Sequence, residues 1–399
     1  MNTHRPTRRQ FIAGLSAAAA LSSLAPLPTP ALGREKRPLR IGYLPITDAT
    51  PLLVAHAKGF YTEEGLEVEP PIRVRSWSTL AESFLGDKFD VTHMLLPIPI
   101  WMRFKNGTPV KIVAWNHTNG SALTVRPDAG IRGFADLGGR QIAVPYWYSM
   151  HNVILQMGLT KAGLTPVIQA QSAPLATHEV NLFVLPPPEM PAALAGHKID
   201  GFIVAEPYNA MAEEKIGARI MRFTGDIWRN HPCCVVVMKE EIVQGDPVFT
   251  QKVVNALVRA QLWTVAHLEE TAQILSREGH DYLPLPASVL RRAFLSYDPK
   301  DYGGNGAPPA IQHPEWGMHR IGFQPYPYPS ATRFITEQMR RTKVEGDAGF
   351  LASLNPDRVA REIVDDRFVR KAIATSGGAG AFPEINLEHP WDREEMIAL

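Results

Sequence analysis

Cysteine is scarce in this sequence: two occur in 399 residues, Cys233 and Cys234, and they are neighbours. Bonding adjacent cysteines forces an awkward ring into the backbone, so the chain is no disulfide scaffold and must rely on a hydrophobic core. An excess of charge of one sign is also missing, since 41 basic residues stand against 40 acidic ones and the two kinds are intermixed. That balance argues against nucleic acid or a membrane surface held by bulk charge, and leaves any charge selectivity to a local site. The spacings CxxC and HExxH do not occur, and there is no phosphate loop or evident nucleophile–base pair, so the sequence assigns no metal ligand, cofactor or catalytic group. Beyond the first three dozen residues, no uninterrupted apolar run is long enough to cross a membrane.

What is present fits a sizeable globular protein. With 45% hydrophobic and 20% charged residues, a chain of this length can bury one large core or two ordinary ones, which predicts about two lobes. The N-terminus reads Thr7-Arg8-Arg9-Gln10-Phe11-Ile12, then an Ala-rich apolar run over 13–27, then small residues ending near Ala31-Leu32-Gly33. This is the form of a twin-arginine export signal cleaved near Gly33 and predicts a soluble mature chain in the periplasm. A short hydrophobic anchor is the competing reading, but Gly14, the serines and Pro26 make the run marginal for it.

Strand and helix signals alternate along the rest. Leu39-Arg40-Ile41-Gly42-Tyr43-Leu44 reads as a strand, 51–58 as a helix, 65–69 as a strand, 79–85 as a helix, 89–94 as a strand, 98–104 as a helix and 110–115 as a strand. The alternation restarts after Ser121-Ala122-Leu123-Thr124-Val125, with strands at 141–145 and 199–204 and a helix over 151–162 stopped by Gly163. Val235-Val236-Val237-Met238 carries the chain back toward the first half, and apolar residues then recur at helical spacing through 247–278. Such alternation predicts mostly parallel sheets covered by helices. The expected division is a signal over 1–33, a discontinuous first lobe from 34–122 and 236–375 with a helical C-terminal part, a second lobe from 123–235, and a tail over 376–399 that is loose or draped on the surface.

Several motifs together resemble a known family. Gly42-Tyr43-Leu44-Pro45-Ile46-Thr47-Asp48, Ala55-His56-Ala57-Lys58-Gly59-Phe60-Tyr61, Ser76-Trp77 and Asp90-Val91-Thr92-His93-Met94 are similar to segments of the solute-binding proteins of nitrate, bicarbonate and sulfonate (taurine) ABC importers. So are the run from Phe134 to Pro145, Ala205-Glu206-Pro207-Tyr208-Asn209, Thr224-Gly225-Asp226-Ile227-Trp228-Arg229-Asn230-His231-Pro232 and Pro325-Tyr326-Pro327-Tyr328-Pro329-Ser330. The resemblance implies an α/β, type II periplasmic-binding-protein fold: two lobes, a hinge, and a small anion or small organic ligand held between them. It also implies a membrane permease as partner, with no nucleic acid and no cofactor. In such open sheets, ligands gather at the carboxyl ends of strands, where free N–H groups receive anions.

The same resemblance marks candidate ligand contacts, each with a structural alternative. Trp77, between serines, matches a tryptophan that lines the anion pocket, or else is core. His151 matches a ligand-contacting histidine, or else caps its helix. Asn119 and Ser121 stand where nitrate-type members carry Asn and Gln; Ser offers a single short hydroxyl, which weakens the case for nitrate, and Asn119-Gly120-Ser121 also reads as a plain turn. Pro188 belongs to a loop expected at the cleft border, and Glu206 follows a strand, with a role in interlobe geometry favoured over ligand contact. Cys233 and Cys234 replace charged residues that commonly follow His231-Pro232 in the family, so Cys234 predicts a softer pocket; the pair reads as buried hydrophobes or as a redox or metal feature. Trp115, Tyr146, Trp147 and Tyr148 either complete that pocket or are core. A pyrimidine-synthase-like enzyme of thiamine biosynthesis and a cytoplasmic nitrate-type ligand sensor are the competing functions, and the export signal argues against both.

Overall fold

A computed structural model describes residues 38–303, 306–382 and 385–399. The twin-arginine segment lies outside the described residues. In chain order the strands are β1 (Ile41–Tyr43), β2 (Ile72–Arg73), β3 (Val91–Leu95), β4 (Val110–Trp115), β5 (Thr118–Asn119) and β6 (Ser121–Val125). They continue as β7 (Gln141–Val144), β8 (Thr165–Val167), β9 (Glu179–Val184), β10 (Gly201–Ala205), β11 (Arg219–Phe223), β12 (Cys234–Lys239) and β13 (Ile321–Gly322).

The strands sort into two principal sheets. The first has the order β2-β1-β3-β12-β4 and the second β11-β6-β10-β7-β9-β8, while β13 and β5 form a small separate pair. Parallel pairing joins β1 to β2 and β3, and joins β7 to β9 and β10. The antiparallel members are β12, set between β3 and β4, and β6, set between β10 and β11. These are the strands next to which the chain changes sheet, so their reversed direction records the passage. The segment expected as a strand at 65–69 makes only a bridge, Leu39 to Val68, and the edge strand falls at Ile72–Arg73.

Helices cover both sheets because their apolar residues have no other place to go. Leu52, Leu53, Leu80 and Phe84 pack with Ile41, Val91, Ile112 and Val236 in the first core. Leu123, Ile142, Leu155, Leu159, Val180 and Leu182 form a second, smaller core between the other sheet and the helix Met150–Lys161. The C-terminal third is helical, from the twenty-residue helix Pro247–Ala266 to Arg367–Thr375. No helix among the described residues is long and apolar enough to cross a membrane.

The feature that positions the site is the pair of crossings between sheets. The chain leaves the first sheet through 116–120 and returns through 224–233, and the two passages are laced together by hydrogen bonds: Asn116 N–H to Cys234 O at 2.9 Å, Asn119 N–H to His231 O at 3.0 Å and Thr224 N–H to Ser121 O at 3.0 Å. Gly120 makes the bend possible. Its φ is +76°, and a Cβ there would sit 3.0 Å from Ile321, so both conformation and space select glycine. Arg320 pins the same region: fully buried, its guanidinium lies 2.6 Å from Glu206 and 3.0 Å from Glu213. The C-terminal segment is tied down here as well, through Arg229 N–H to Met396 O at 3.0 Å, Ala398 N–H to Ile227 O at 2.8 Å, and Trp228 Nε1 to the Glu395 carboxylate at 2.7 Å.

Candidate functional site

At the crossings, side chains from both sheets converge. Asp48 occupies a single 3-10 turn, Thr47–Ala49, directly after β1. The turn is fixed from the other sheet, because Thr47 donates its N–H to the Glu206 carbonyl at 2.8 Å, and from the first crossing, because the Asn116 side-chain amide donates to the Asp48 carbonyl. The Asp48 carboxylate thereby faces His117, Cys233 and Cys234. Its Oδ2 is 2.9 Å from His117 Nε2, 3.1 Å from Cys234 Sγ and 3.6 Å from Cys233 Sγ.

From the opposite side come Ser121, the first residue of β6, and His151. Ser149 caps the helix Met150–Lys161 by accepting from Asn152 N–H, which leaves His151 in the first turn with its ring turned inward. Ser121 Oγ and His151 Nε2 are 2.9 Å apart, and Cys233 Sγ lies 3.8 Å from the hydroxyl and 4.0 Å from the imidazole. His93, in the middle of β3, accepts the Leu44 N–H at 3.0 Å and meets the edge of Trp77 at 5.5 Å between ring centres. Trp77 is the first residue of the helix Trp77–Leu85, and Ser76 before it starts that helix as its N-cap, accepting the Thr79 N–H, while the indole is buried.

Asp48, His93, His117, Ser121, His151 and both cysteines are buried. Several polar atoms of these residues and of the neighbouring Trp77 and Asn116 find no protein hydrogen-bond partner among the described residues, among them Asp48 Oδ1, Trp77 Nε1, His93 Nδ1, Asn116 Oδ1 and His151 Nδ1. Native interiors seldom leave buried polar atoms unsatisfied, so these groups retain unused hydrogen-bonding capacity directed into one region. Burial also reshapes protonation. It raises the Asp48 carboxyl above its ordinary range, against the pull of His117. Burial alone would lower His117, but the adjacent Asp48 charge and hydrogen bond push it up to about 10. His93 has no such partner and is driven by burial to about 3. Burial disfavours either thiolate, yet the hydrogen bond from Cys234 and the neighbouring imidazoles His151 and His117 hold Cys233 well below the usual thiol value. Cys234, beside that sulfur and the Asp48 carboxylate, is pushed well above it.

Of the residues singled out from sequence, Trp77, Ser121, His151 and Cys234 come together here. Glu206 stands beside the locus but is occupied by Arg320 and by the Ala210 N–H at 3.1 Å. Asn119 turns away: with φ of +58° it faces a separate cavity of about 520 Å³ lined by Trp115, Trp316, Phe323, Tyr328 and Arg393. Pro188 lies in the half-buried turn Pro187–Glu189, which no polar contact of the cluster reaches. Tyr146 and Tyr148 meet Trp101 from the first lobe, the Tyr148 ring stacking on it at 5.6 Å, so these aromatics form a rim between lobes. Asp48 and His93 are visible in sequence only within longer motifs. His117 carries no signal beyond standing four residues before Ser121.

Two helix-covered sheets joined by paired crossings, with a polar locus where both contribute, define a periplasmic-binding-protein fold, the architecture of solute receptors. Comparison with known proteins agrees. The chain is 27% identical over 333 residues to the nitrate/nitrite binding protein NrtA of Nostoc sp., covering 77% of this chain and 71% of that protein. It is 31% identical over 273 residues to the nitrate import ATP-binding protein NrtC of Synechocystis sp., covering 64% of this chain but only 38% of that longer protein. The crystal structure of the periplasmic nitrate-binding protein NrtA from Synechocystis PCC 6803 superposes with a TM-score of 0.72 at 21% identity, over 91% of this chain and 94% of that one. The NMT1-like family matches residues 32–276, and the chain belongs to it.

Proposed function

We propose that this protein is the extracytoplasmic solute-binding component of an ABC importer, which closes its two lobes over a small polar solute and releases it unchanged to a membrane permease. The observation that carries the reading is the assembly of one buried locus from both sheets beside the crossings: Trp77 and His93 on one side, Ser121 and His151 on the other. A solute touching both sides stabilises the closed arrangement by its differential contacts. The indole N–H, the hydroxyl and the imidazoles are donors suited to an oxyanion of the nitrate, bicarbonate or sulfonate kind or to a small carboxylate. Export by the twin-arginine route and a periplasmic location complete the proposal and rest on Arg8-Arg9 and the apolar run behind them.

Thermal-shift titration with nitrate, nitrite, bicarbonate, taurine, alkyl sulfonates and small carboxylates tests it, because a ligand that prefers the folded state raises the melting temperature. A solute that raises it in the parent but not in His151→Ala supports the reading. No response to the whole panel, or conversion of a bound compound by the purified protein, sinks it. Catalysis is the second reading, favoured by one contact: Cys233 Sγ lies 4.0 Å from His151 Nε2, a nucleophile–base geometry that sequence spacing does not reveal.

A further inference from the structure

The Asp48 corner of the cleft has a donor set unlike that of the Ser121–His151 corner. Two sulfurs, an imidazole nitrogen and a carboxylate oxygen face one another, and the ligating atoms of Asp48, His117, Cys233 and Cys234 all lie within 4.8 Å. We propose that these four residues bind one thiophilic divalent cation, of the zinc type, in a tetrahedral site. The proposal deepens the solute-receptor reading by assigning a cation to the same cleft.

The dimensions fit. With Zn–N and Zn–O near 2.0–2.2 Å and Zn–S near 2.3 Å, the edges of a tetrahedral ligand set come out at about 3.3–3.8 Å. The edges from Asp48 Oδ2 to His117 and Cys234, 2.9 and 3.1 Å, would lengthen by a few tenths of an ångström around a cation, the 3.6 Å edge to Cys233 is already in range, and any of the remaining edges that approach 4.8 Å would close by up to about 1 Å. The supporting contacts also suit a ligand site. His117 Nδ1 faces the Thr118 carbonyl at 3.4 Å, leaving Nε2 as the atom turned to the centre, and the Asn116 amide holds the Asp48 backbone. Adjacent cysteines in a regular strand point to opposite faces, but Cys233 precedes β12 in the returning crossing, which lets both sulfurs approach the same carboxylate oxygen. Calcium and magnesium require oxygen ligands throughout, so two sulfurs exclude them in favour of zinc or a neighbouring late transition ion. All four donors lie on the first-sheet side or on the crossings, so the cation needs no contribution from Ser121 or His151.

The test is cobalt substitution. Full-length purified protein, stripped with a chelator and kept reduced, is titrated with Co²⁺ and then with Zn²⁺. The expected result is one equivalent of cobalt with thiolate-to-metal charge-transfer absorption and the intense visible bands of tetrahedral geometry, displaced by zinc. Cys233→Ser combined with Cys234→Ser should abolish the charge-transfer band, and His117→Gln should weaken zinc binding by about 100-fold or more. Zinc-edge X-ray absorption on the unaltered protein counts sulfur scatterers without relying on any variant: two support the site. Failure of stoichiometric uptake, a shell of nitrogen and oxygen alone, or cobalt spectra unchanged in the double variant each overturn it. The solute panel run on the same preparation separates the two ideas: solute-induced stabilisation without metal uptake refutes the cation alone, and silence in both assays refutes both.

Discussion

Removing Arg320 is the most informative perturbation of the frame that holds the site. Its guanidinium is fully buried and paired with Glu206, also fully buried, while Tyr302 takes a further hydrogen bond at 2.6 Å. In Arg320→Met the Glu213 carboxylate keeps Arg292 at 2.8 Å, but Glu206 retains only the Ala210 N–H. A buried charge stripped of its partner costs on the order of 3–5 kcal/mol, so the denaturation midpoint at neutral pH should fall accordingly. The sign of the pH dependence follows from protonation. Burial already raises Glu206 above its ordinary value of 4.5, with Arg320 opposing, and loss of Arg320 raises it further. Above roughly pH 4.5 the unfolded chain has released this proton while the folded variant keeps it, so stability relative to the parent falls by up to about 1.4 kcal/mol per pH unit until the folded pKa is passed. The deficit should therefore shrink on acidification from pH 8 to pH 5. Adding Glu206→Gln should restore most of it. Urea denaturation of the parent, single and double variants at both pH values measures all three effects. A loss below about 1 kcal/mol, a deficit equal at both pH values, or a double variant no better than the single would refute the buried-pair argument.

Other perturbations probe the cleft and its surroundings. Trp77→Ala should weaken solute binding at least tenfold with an unchanged circular dichroism spectrum, and unchanged affinity in calorimetry would remove the indole from the site. Trp101→Ala, which deletes the aromatic stack across the rim, should lower apparent affinity about 2- to 10-fold, the equivalent of 0.5–1.5 kcal/mol, through the open–closed equilibrium rather than by direct contact. Gly120→Ala should cost about 1–2 kcal/mol, because it places a side chain in a left-handed conformation against Ile321. Deleting residues 392–399 removes Arg393 from the faces of Trp115 and Tyr328, 5.0 and 5.1 Å away, and Glu395 from Trp228; limited proteolysis and red-shifted tryptophan emission should register the loss.

The alternation of strands and helices was legible because each element has to bury a periodic apolar face, and that period is written locally. Trp77, Ser121, His151 and Cys234, which converge beside the crossings, were singled out because they stand in motifs beside strand ends. Asp48, His93 and His117 could not be separated from their neighbours, because the contacts that define them span separations such as the 49 residues between Leu44 and His93 and the 186 residues between Asp48 and Cys234, which strand pairing and the two crossings close. Asn119 misleads for a local reason. Side chains two apart in a strand share a face, but the positive φ of Asn119 and of Gly120 breaks that rule and sends Asn119 and Ser121 to different sides. The contact of Tyr146 and Tyr148 with Trp101 was not legible, because Trp101 stands more than forty residues earlier and belongs to the other sheet's helices.

The lacing of the outgoing and returning passages has a mechanical corollary. A jaw that grips beside its pin moves its tips far for a small change at the grip, so a sub-ångström adjustment around Ser121 and Cys233, were the lobes to turn about these passages, would become a wide excursion at their outer edges. A guest seated there would exercise little leverage of its own, yet its presence would be legible at the surface a docking partner touches.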